Sequence, residues 1–201
     1  MSAVLEAIPG AAGWAGLPAE VLARVRPSIV RVHGRGPAGA GGVVWRPGVV
    51  VTNHHVVARA RQALRVVSVD GRVHEARVLD ASHRLDLALL EVPGTFLEPA
   101  PIGRSARLRI GELVFAVGHP WGQPWVVTVG VVSGLGAHPV PGHAGLEACV
   151  RSDVHLAPGN SGGPLLDARG EVVGLNAMVI GGDLALAIPS DVVRRWLEDR
   201  S

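Results

Sequence analysis

The chain is predicted to be all-β, folding into two six-stranded antiparallel β-barrels with short N-terminal and C-terminal helices. Three observations carry that prediction. Its 201 residues are 48% hydrophobic and 18% charged, which supplies core for one domain or for two small barrels packed together. With Gly 27 and Pro 15, the chain is cut into short segments that favour strands and turns over long helices. Apolar runs then fall into two sets of six, divided by a Pro/Gly-rich stretch at residues 93–104. Aromatics are only 3% and tyrosine is absent, so the core must be built from Val, Leu, Ala and Ile.

Residues 1–16 read as an arm ahead of the folded domain, 17–201. Pro18 to Val25 has the chemistry of a helix start, with proline at the opening and Glu20 in the first turn. Ser28 to Val32 alternates as a strand, and Gly34 to Gly42 reads as a glycine-rich loop. Val43-Val44-Trp45 and Val49-Val50-Val51 form a hairpin about Pro47-Gly48. His54 to Ala58 is one helical turn. Leu64 to Val69, Val73 to Asp80 and Asp86 to Val92 complete barrel one (28–92), with a turn at Asp70-Gly71; closure removes exposed sheet edges. Barrel two (110–188) uses Glu112–Val117, Trp125–Leu135, Glu147–Asp153, Pro164–Leu166, Val172–Val179 and Leu184–Ile188. Pro189-Ser190-Asp191 caps a last helix over 190–199, whose Val192, Val193, Trp196 and Leu197 share one face.

Composition narrows the function classes. All 19 basic residues are arginine, and they are scattered among acids to a net charge of +2. Nucleic-acid binding would call for a basic cluster interleaved with aromatics, and none is present, so no nucleic-acid partner is expected. The one cysteine, Cys149, excludes an internal disulfide and reads as a small core residue on a strand, in a bacterial-type, disulfide-free chain. Residues 1–16 carry no basic residue, contain Glu6 and are broken by Pro9-Gly10, unlike a signal peptide. The uncharged stretch Leu113 to Leu146 is long enough to span a bilayer, but four prolines and many glycines argue against a membrane helix. No membrane insertion is expected and a cytoplasmic location is the plain reading, with a periplasmic or secreted one open if the chain is trimmed. Nine histidines show neither H-E-x-x-H nor C-x-x-C spacing, so no metal and no cofactor is expected. His119, His138 and His143 lie in Pro/Gly loops and read as exposed.

The chemistry gathers around Ala157-Pro158-Gly159-Asn160-Ser161-Gly162-Gly163-Pro164. Taken alone, the run also reads as a glycine-rich hairpin turn. A serine hydroxyl becomes a competent nucleophile only when a base takes its proton and donors await the charge developing on the substrate oxygen. Glycine allows the close approach and tight turn that aim amides at one point. Upstream, Thr52-Asn53-His54-His55-Val56-Val57 offers imidazoles, and Arg84-Leu85-Asp86-Leu87-Ala88-Leu89-Leu90 offers an acid opening an apolar run. Such an acid is costly unless hydrogen-bonded, and a histidine would supply the bond. Asp70, in a turn, and Asp80, further from that run, are the rival acids. The order His, Asp, Ser is that of chymotrypsin-type enzymes, and the G-x-S-x-G elbow of α/β-hydrolases is absent.

T-N-x-H-V-V, D-L-A-L-L and D-x(4)-P-G-N-S-G-G-P-L together resemble the signature blocks of HtrA/Deg-type trypsin-like serine proteases, from about Leu17 to the C-terminus. The resemblance implies the chymotrypsin architecture, with the site in the cleft between barrels and the catalytic residues at His55, Asp86 and Ser161. It leaves His54 as a half-exposed, dispensable neighbour. It places the oxyanion hole on Gly159, Asn160 and Ser161, through the amides of Gly159 and Ser161. Substrate binding falls to His155 and to the strand Asn176, Ala177, Met178 and Val179, which would pair with the substrate backbone. His155 is read two ways, as a solvent-facing histidine or as a polar pocket floor. Ala177 stands where relatives commonly carry a hydroxyl, which leaves Asp86 one donor short. Asn160 stands where zymogen-type relatives have an acid, which points away from activation by cleavage. No PDZ-like segment follows, and HtrA relatives are often trimeric through an N-terminal segment; the arm before Leu17 is short for that role, so a homo-oligomer stays open. The function implied is a serine endopeptidase acting on protein or peptide substrates, with an inactive module that binds unfolded polypeptide as the alternative.

Overall fold

The computed structural model describes residues 16–33, 39–58, 64–94, 97–138 and 146–200. The expected arm up to residue 15, residues 34–38 of the glycine-rich loop, and His143 lie outside the described residues, as does the side chain of His138.

Helix α1 (Leu17–Val25) leads through a 3₁₀ turn at Arg26–Ser28 into barrel one. That barrel holds β1 (Ile29–His33), β2 (Ala40–Arg46), β3 (Val49–Thr52), the single turn α2 (His54–Val57), β4 (Leu64–Val67), β5 (Val73–Ser82) and β6 (Leu87–Glu91). Barrel two holds β7 (Leu113–Gly118), β8 (Val126–His138), β9 (Leu146–Ser152), β10 (Pro164–Asp167), β11 (Val172–Ile180) and β12 (Leu184–Pro189), and α3 (Ser190–Glu198) follows. Both sheets close, in the orders β1-β2-β3-β6-β5-β4 and β10-β11-β12-β9-β8-β7. Read in one direction the two orders are the same, so each half of the chain repeats one antiparallel topology. The predicted two-barrel, chymotrypsin-like fold is what forms, and the described part of the uncharged stretch after Leu113 holds β7 and β8 and reaches the first residue of β9.

The core explains why several strands read as continuous apolar runs. Val30, Val44, Val50, Ala88 and Leu90 fill the interior of barrel one, and Val114, Ala116, Leu165, Val173 and Ala187 fill barrel two. Their alternating neighbours point the other way, and Val43, Trp45, Val51 and Leu87 meet Phe115, Val117, Leu166, Leu175 and Ile188 in a third layer between the barrels. Strands facing two cores cannot alternate with polar residues. Each fully buried Val, Leu or Phe in these layers contributes about 1.5–3 kcal/mol. Val21 and Val25 of α1 and Val193, Trp196 and Leu197 of α3 close the shared layer, so the two terminal helices stitch the barrels together. Cys149 is buried in the same layer, as expected of a core residue.

Glycines allow the barrels to touch at backbone distance. Gly41 N on β2 donates to Ser161 O across the seam at 2.7 Å, and Thr52 Oγ1 donates to Gly41 O at 2.8 Å. A Cβ at Gly41 would collide with Gly163 N, and one at Gly162 (φ +77) with Thr52 Oγ1 and Gly41 O. This corrects the glycine-rich loop read for residues 34–42. Its last residues belong to β2, because only a side-chain-free strand can lie against the Ser161 turn. A second correction concerns α3. Ser190 Oγ donates to Gly103 O, while Asp191 accepts from Arg104 Nε, Ser105 Oγ and Ala106 N. These side chains anchor the inter-barrel segment and do not cap their own helix.

Replacing Gly41 by alanine forces the seam apart. A loss of about 2–3 kcal/mol is expected, as for overpacked cores, read as a melting point lower by about 5–10 °C. An unchanged melting point for Gly41→Ala would mean that the barrels do not meet at this distance.

Candidate active site

Barrel one contributes an imidazole held by a carboxylate. Asn53 follows β3 in extended backbone (φ −79, ψ 149), and α2 begins at once, lifting His55 to the barrel rim. Asp86 lies not in β6, where the apolar run suggested, but in the preceding turn with φ +53, a left-handed conformation that is strained for a residue with a Cβ. Four hydrogen bonds offset that strain. Asp86 O accepts from His54 N at 3.1 Å and from Asn53 Nδ2 at 3.0 Å. Its carboxylate accepts from His55 N at 3.0 Å and pairs with His55 Nδ1 at 2.8 Å. The carboxylate is nearly fully buried, whereas the His55 side chain is 43% exposed. An ionised carboxylate only accepts, so the proton sits on Nδ1 and the free lone pair is on Nε2. The rival acids go elsewhere: Asp70 accepts from Ser68 Oγ, and Asp80 pairs with Arg200. His54 is half-buried and stands edge to face with His83.

Barrel two contributes the hydroxyl. Gly162 N donates to Asn176 O at 2.8 Å and Asn176 N to Gly163 O at 2.9 Å, which continues the β10–β11 ladder into the glycine turn. The front of the turn is gripped by His119 N on Gly159 O and by Trp121 N on Pro158 O, at 3.3 and 3.1 Å. Gly159 (φ +110) has to be glycine, since a Cβ there would strike the carbonyl of His119. The amides of Gly159 and Ser161 donate to no group among the described residues. Asn160 differs from its two neighbours. Its amide is used by Ala157 O at 3.0 Å, and its side chain is buried against Gly118. Ser161 Oγ donates to Ala177 O at 3.1 Å and makes no hydrogen bond to His55. The Gly41–Ser161 bond, with Thr52 Oγ1 on Gly41 O, ties the Ser161 turn to β2 and to the end of β3, three residues before His55.

The expected substrate-binding residues separate. On its β10 side, β11 has no backbone partner among the described residues after Asn176, while pairing with β12 continues past an irregularity at Asn176/Met178. Half-buried Met178 and exposed Val179 therefore lie on an open strand edge. Asn176 and Ala177 are buried, and Asn176 Nδ2 braces Pro164 O at 2.8 Å. The side chain of His155 is exposed and its carbonyl accepts from Thr128 Oγ1, the solvent-facing arrangement of the two weighed for it.

His119 requires correction, because the sequence reading left it in solvent. It is 3% exposed, stands edge to face with Trp125 at 4.9 Å, and its Nδ1 is buried without a partner. Burial, with smaller repulsions from Arg31 and His33, lowers its pKa to about 4. The signal available was its position, directly after the apolar run of β7. Among the described residues no group of three or more His, Cys, Asp or Glu could hold a metal. No helix among them is long and apolar enough to cross a membrane.

Comparison with known proteins agrees with this fold. Residues 39–175 match the family described as trypsin-like peptidase domain. The chain is 36% identical over 195 residues to mouse serine protease HTRA4, covering 90% of the chain and 40% of that protein. It is 36% identical over 166 residues to a Chlamydia trachomatis protein named "Probable periplasmic serine endoprotease DegP-like", covering 80% and 33%. It is 37% identical over 168 residues to Arabidopsis thaliana "Protease Do-like 1, chloroplastic", covering 78% and 38%. The chain thus spans about two fifths or less of the length of these relatives. Among solved structures it superposes on "HtrA-type protease AlgW with tripeptide" with a TM-score of 0.82 at 27% identity, covering 90% of this chain and 62% of that one. The expected HtrA-type resemblance is borne out. The bacterial source and the cytoplasmic location are not carried forward, since relatives include mammalian and plant proteins and the compartments named are periplasmic and chloroplastic.

Because His119 is lowered in the folded state, the unfolded chain binds its proton more readily. The contribution of its burial is complete above pH about 6.5 and declines as pH falls toward about 4, by about 3 kcal/mol in all. Thermal melts across that range are expected to show this slope, and His119→Gln to flatten it. An equal slope in both proteins would mean that the imidazole is not buried neutral.

Proposed function

We propose that this chain, which belongs to the trypsin-like peptidase domain family, is a serine endopeptidase acting on peptide bonds of protein substrates. The observation that carries the proposal is the buried Asp86 carboxylate on His55 Nδ1, which leaves Nε2 free to act as a base. Rotation about the Ser161 Cα–Cβ bond releases Oγ from Ala177 O and turns it toward that nitrogen. Oγ attacks the substrate carbonyl carbon while its proton passes to Nε2, and Asp86 steadies the imidazolium. The unused amides of Gly159 and Ser161 receive the oxyanion. His55 then gives its proton to the leaving amine, an acyl-enzyme remains on Ser161, and water repeats the sequence to release the acid. Asn160 supports the hole by packing, since its own amide is committed.

The open edge of β11 at Met178 and Val179 takes the acyl half of the substrate as an added antiparallel strand. Ala177 leaves Asp86 without a hydroxyl donor from that strand. The bonds from His55 keep the carboxylate satisfied, so turnover is lowered but not abolished. Similar structures with a tripeptide and a decapeptide bound support peptide-like ligands. The holding-module alternative draws no support from relatives that carry protease names.

A fluorophosphonate probe is expected to label Ser161, and Ser161→Ala to lose both labelling and casein digestion, with turnover down by as much as about a millionfold. Asp86→Asn keeps an acceptor for His55 N and tolerates the left-handed backbone, so it is expected to fold. It presents the wrong tautomer of His55 and should lower kcat by about ten-thousandfold. A folded wild-type protein that takes up no probe and digests nothing would sink the endopeptidase reading.

A further inference from the structure

We infer that the leaving-group side of the cleft carries a carboxylate-binding subsite built on Arg31, so that the enzyme favours substrates with an acidic group just beyond the scissile bond. This rests on the endopeptidase reading above. If the acyl half lies along β11, the half released as an amine must run from Ser161 in the opposite direction. That path crosses the start of β2, where Gly41 is bonded to Ser161 O, and passes the loop from His119 to Gln123 that grips Pro158 and Gly159.

Arg31 is directed onto that path by the sheet. Val30 and Val32 fill the interior of barrel one, so Arg31 and His33 face outward. Arg31 is paired with Gly41 in the β1–β2 ladder, one hydrogen bond away from the serine segment. Glycines on β2 leave room for its stem: a Cβ at Gly39 would sit 2.9 Å from Arg31 Cγ. The arginine therefore lies across β2 and reaches barrel two, where Nη1 meets Gly122 O at 3.5 Å, the outer limit of a hydrogen bond. Its Nε is buried with no partner, and it forms no ion pair among the described residues.

The charged side chains acting here are Arg31 and Arg65, and both neighbouring histidines are held toward their neutral forms. His33 is lowered by burial and then by Arg31 and Arg65, and His119 by burial and then by Arg31 and His33, with no carboxylate acting on either. A guanidinium offers five N–H groups in a fork that matches a carboxylate, and this one has a single marginal partner among the described residues. Placing it in a half-buried, anion-free corner beside the nucleophile is costly unless an anion arrives with the substrate. The ligand chemistry is a carboxylate, either an Asp or Glu side chain in the leaving half or the free terminus of a short leaving fragment.

The test is a peptide series carrying Asp, Asn or Lys at each of the first three positions after the cleaved bond, each made with a free and an amidated C-terminus. Wild-type protein is expected to favour the best Asp peptide over its Lys counterpart by about tenfold in kcat/KM, less as salt rises. Arg31→Gln should erase the ratio and Arg31→Glu should invert it toward Lys, a reversal that a merely structural role at Gly122 does not produce. A preference confined to free C-termini assigns the site to the chain end, and one that survives amidation assigns it to a side chain. Equal rates for Asp and Lys peptides in wild type, or an unchanged ratio in folded Arg31→Glu, would overturn the inference while leaving the endopeptidase reading intact. Should no peptide be cut, that reading falls instead, and anisotropy binding of the same peptides to Ser161→Ala decides the charge preference on its own.

Discussion

Two backbones meet with nothing between them at the Gly41–Ser161 hydrogen bond, and the rest of the molecule is arranged so that they can. Side chains normally hold strands of separate sheets about 10 Å apart. Here Gly41, Gly162 and Gly163 remove those spacers at one point, while Val43, Trp45, Phe115 and Val117 keep them a residue or two away. The shared apolar layer provides the area that holds the barrels together, and the glycines decide how near they come. Because the imidazole belongs to one barrel and the hydroxyl to the other, their separation is set by packing at this seam and not by any local loop.

The Asp86 carboxylate is the second fixed point. It is buried, sits on strained backbone, and would be unfavourable there without donors. Both of its bonds come from His55, through the backbone N and Nδ1, while Asn53 Nδ2 and His54 N hold the carbonyl of the same residue, so one turn of helix satisfies the buried acid and orients an imidazole at the same time. On the opposite side the hydroxyl rests on Ala177 O. The hydroxyl is thus held by a backbone carbonyl of its own barrel.

Much of this was legible in the chain. The hairpin about Pro47-Gly48, the single turn at His54 and the two sets of strands follow from turn chemistry and apolar runs, while the candidate residues 55, 86 and 161 were implied by the resemblance of three motif blocks to a known family. The errors share a cause. Gly41 and Gly42 read as loop because glycine is weak strand former by composition, yet here it is required by a second barrel some 120 residues away in sequence. His119 read as exposed because Pro120 and Gly122 surround it, yet Trp125 and the end of β7 bury it. Ser190 and Asp191 read as a helix cap, yet their stronger partners lie at residues 103–106.

What the sequence determined by itself was local: where the chain turns, which runs are apolar, and which residue types are available for acid, base and nucleophile. Propensity, turn geometry and spacing act over a few residues and need no partner to be read. What only the tertiary structure decided was relational. The free nitrogen of His55, the unused amides of Gly159 and Ser161, the open edge of β11, and the reach of Arg31 across to Gly122 each depend on groups brought together by barrel closure and docking. Hydrogen bonds and charge act over a few ångströms of space, whatever the separation along the chain, and the distances between these groups exist only once both barrels have folded.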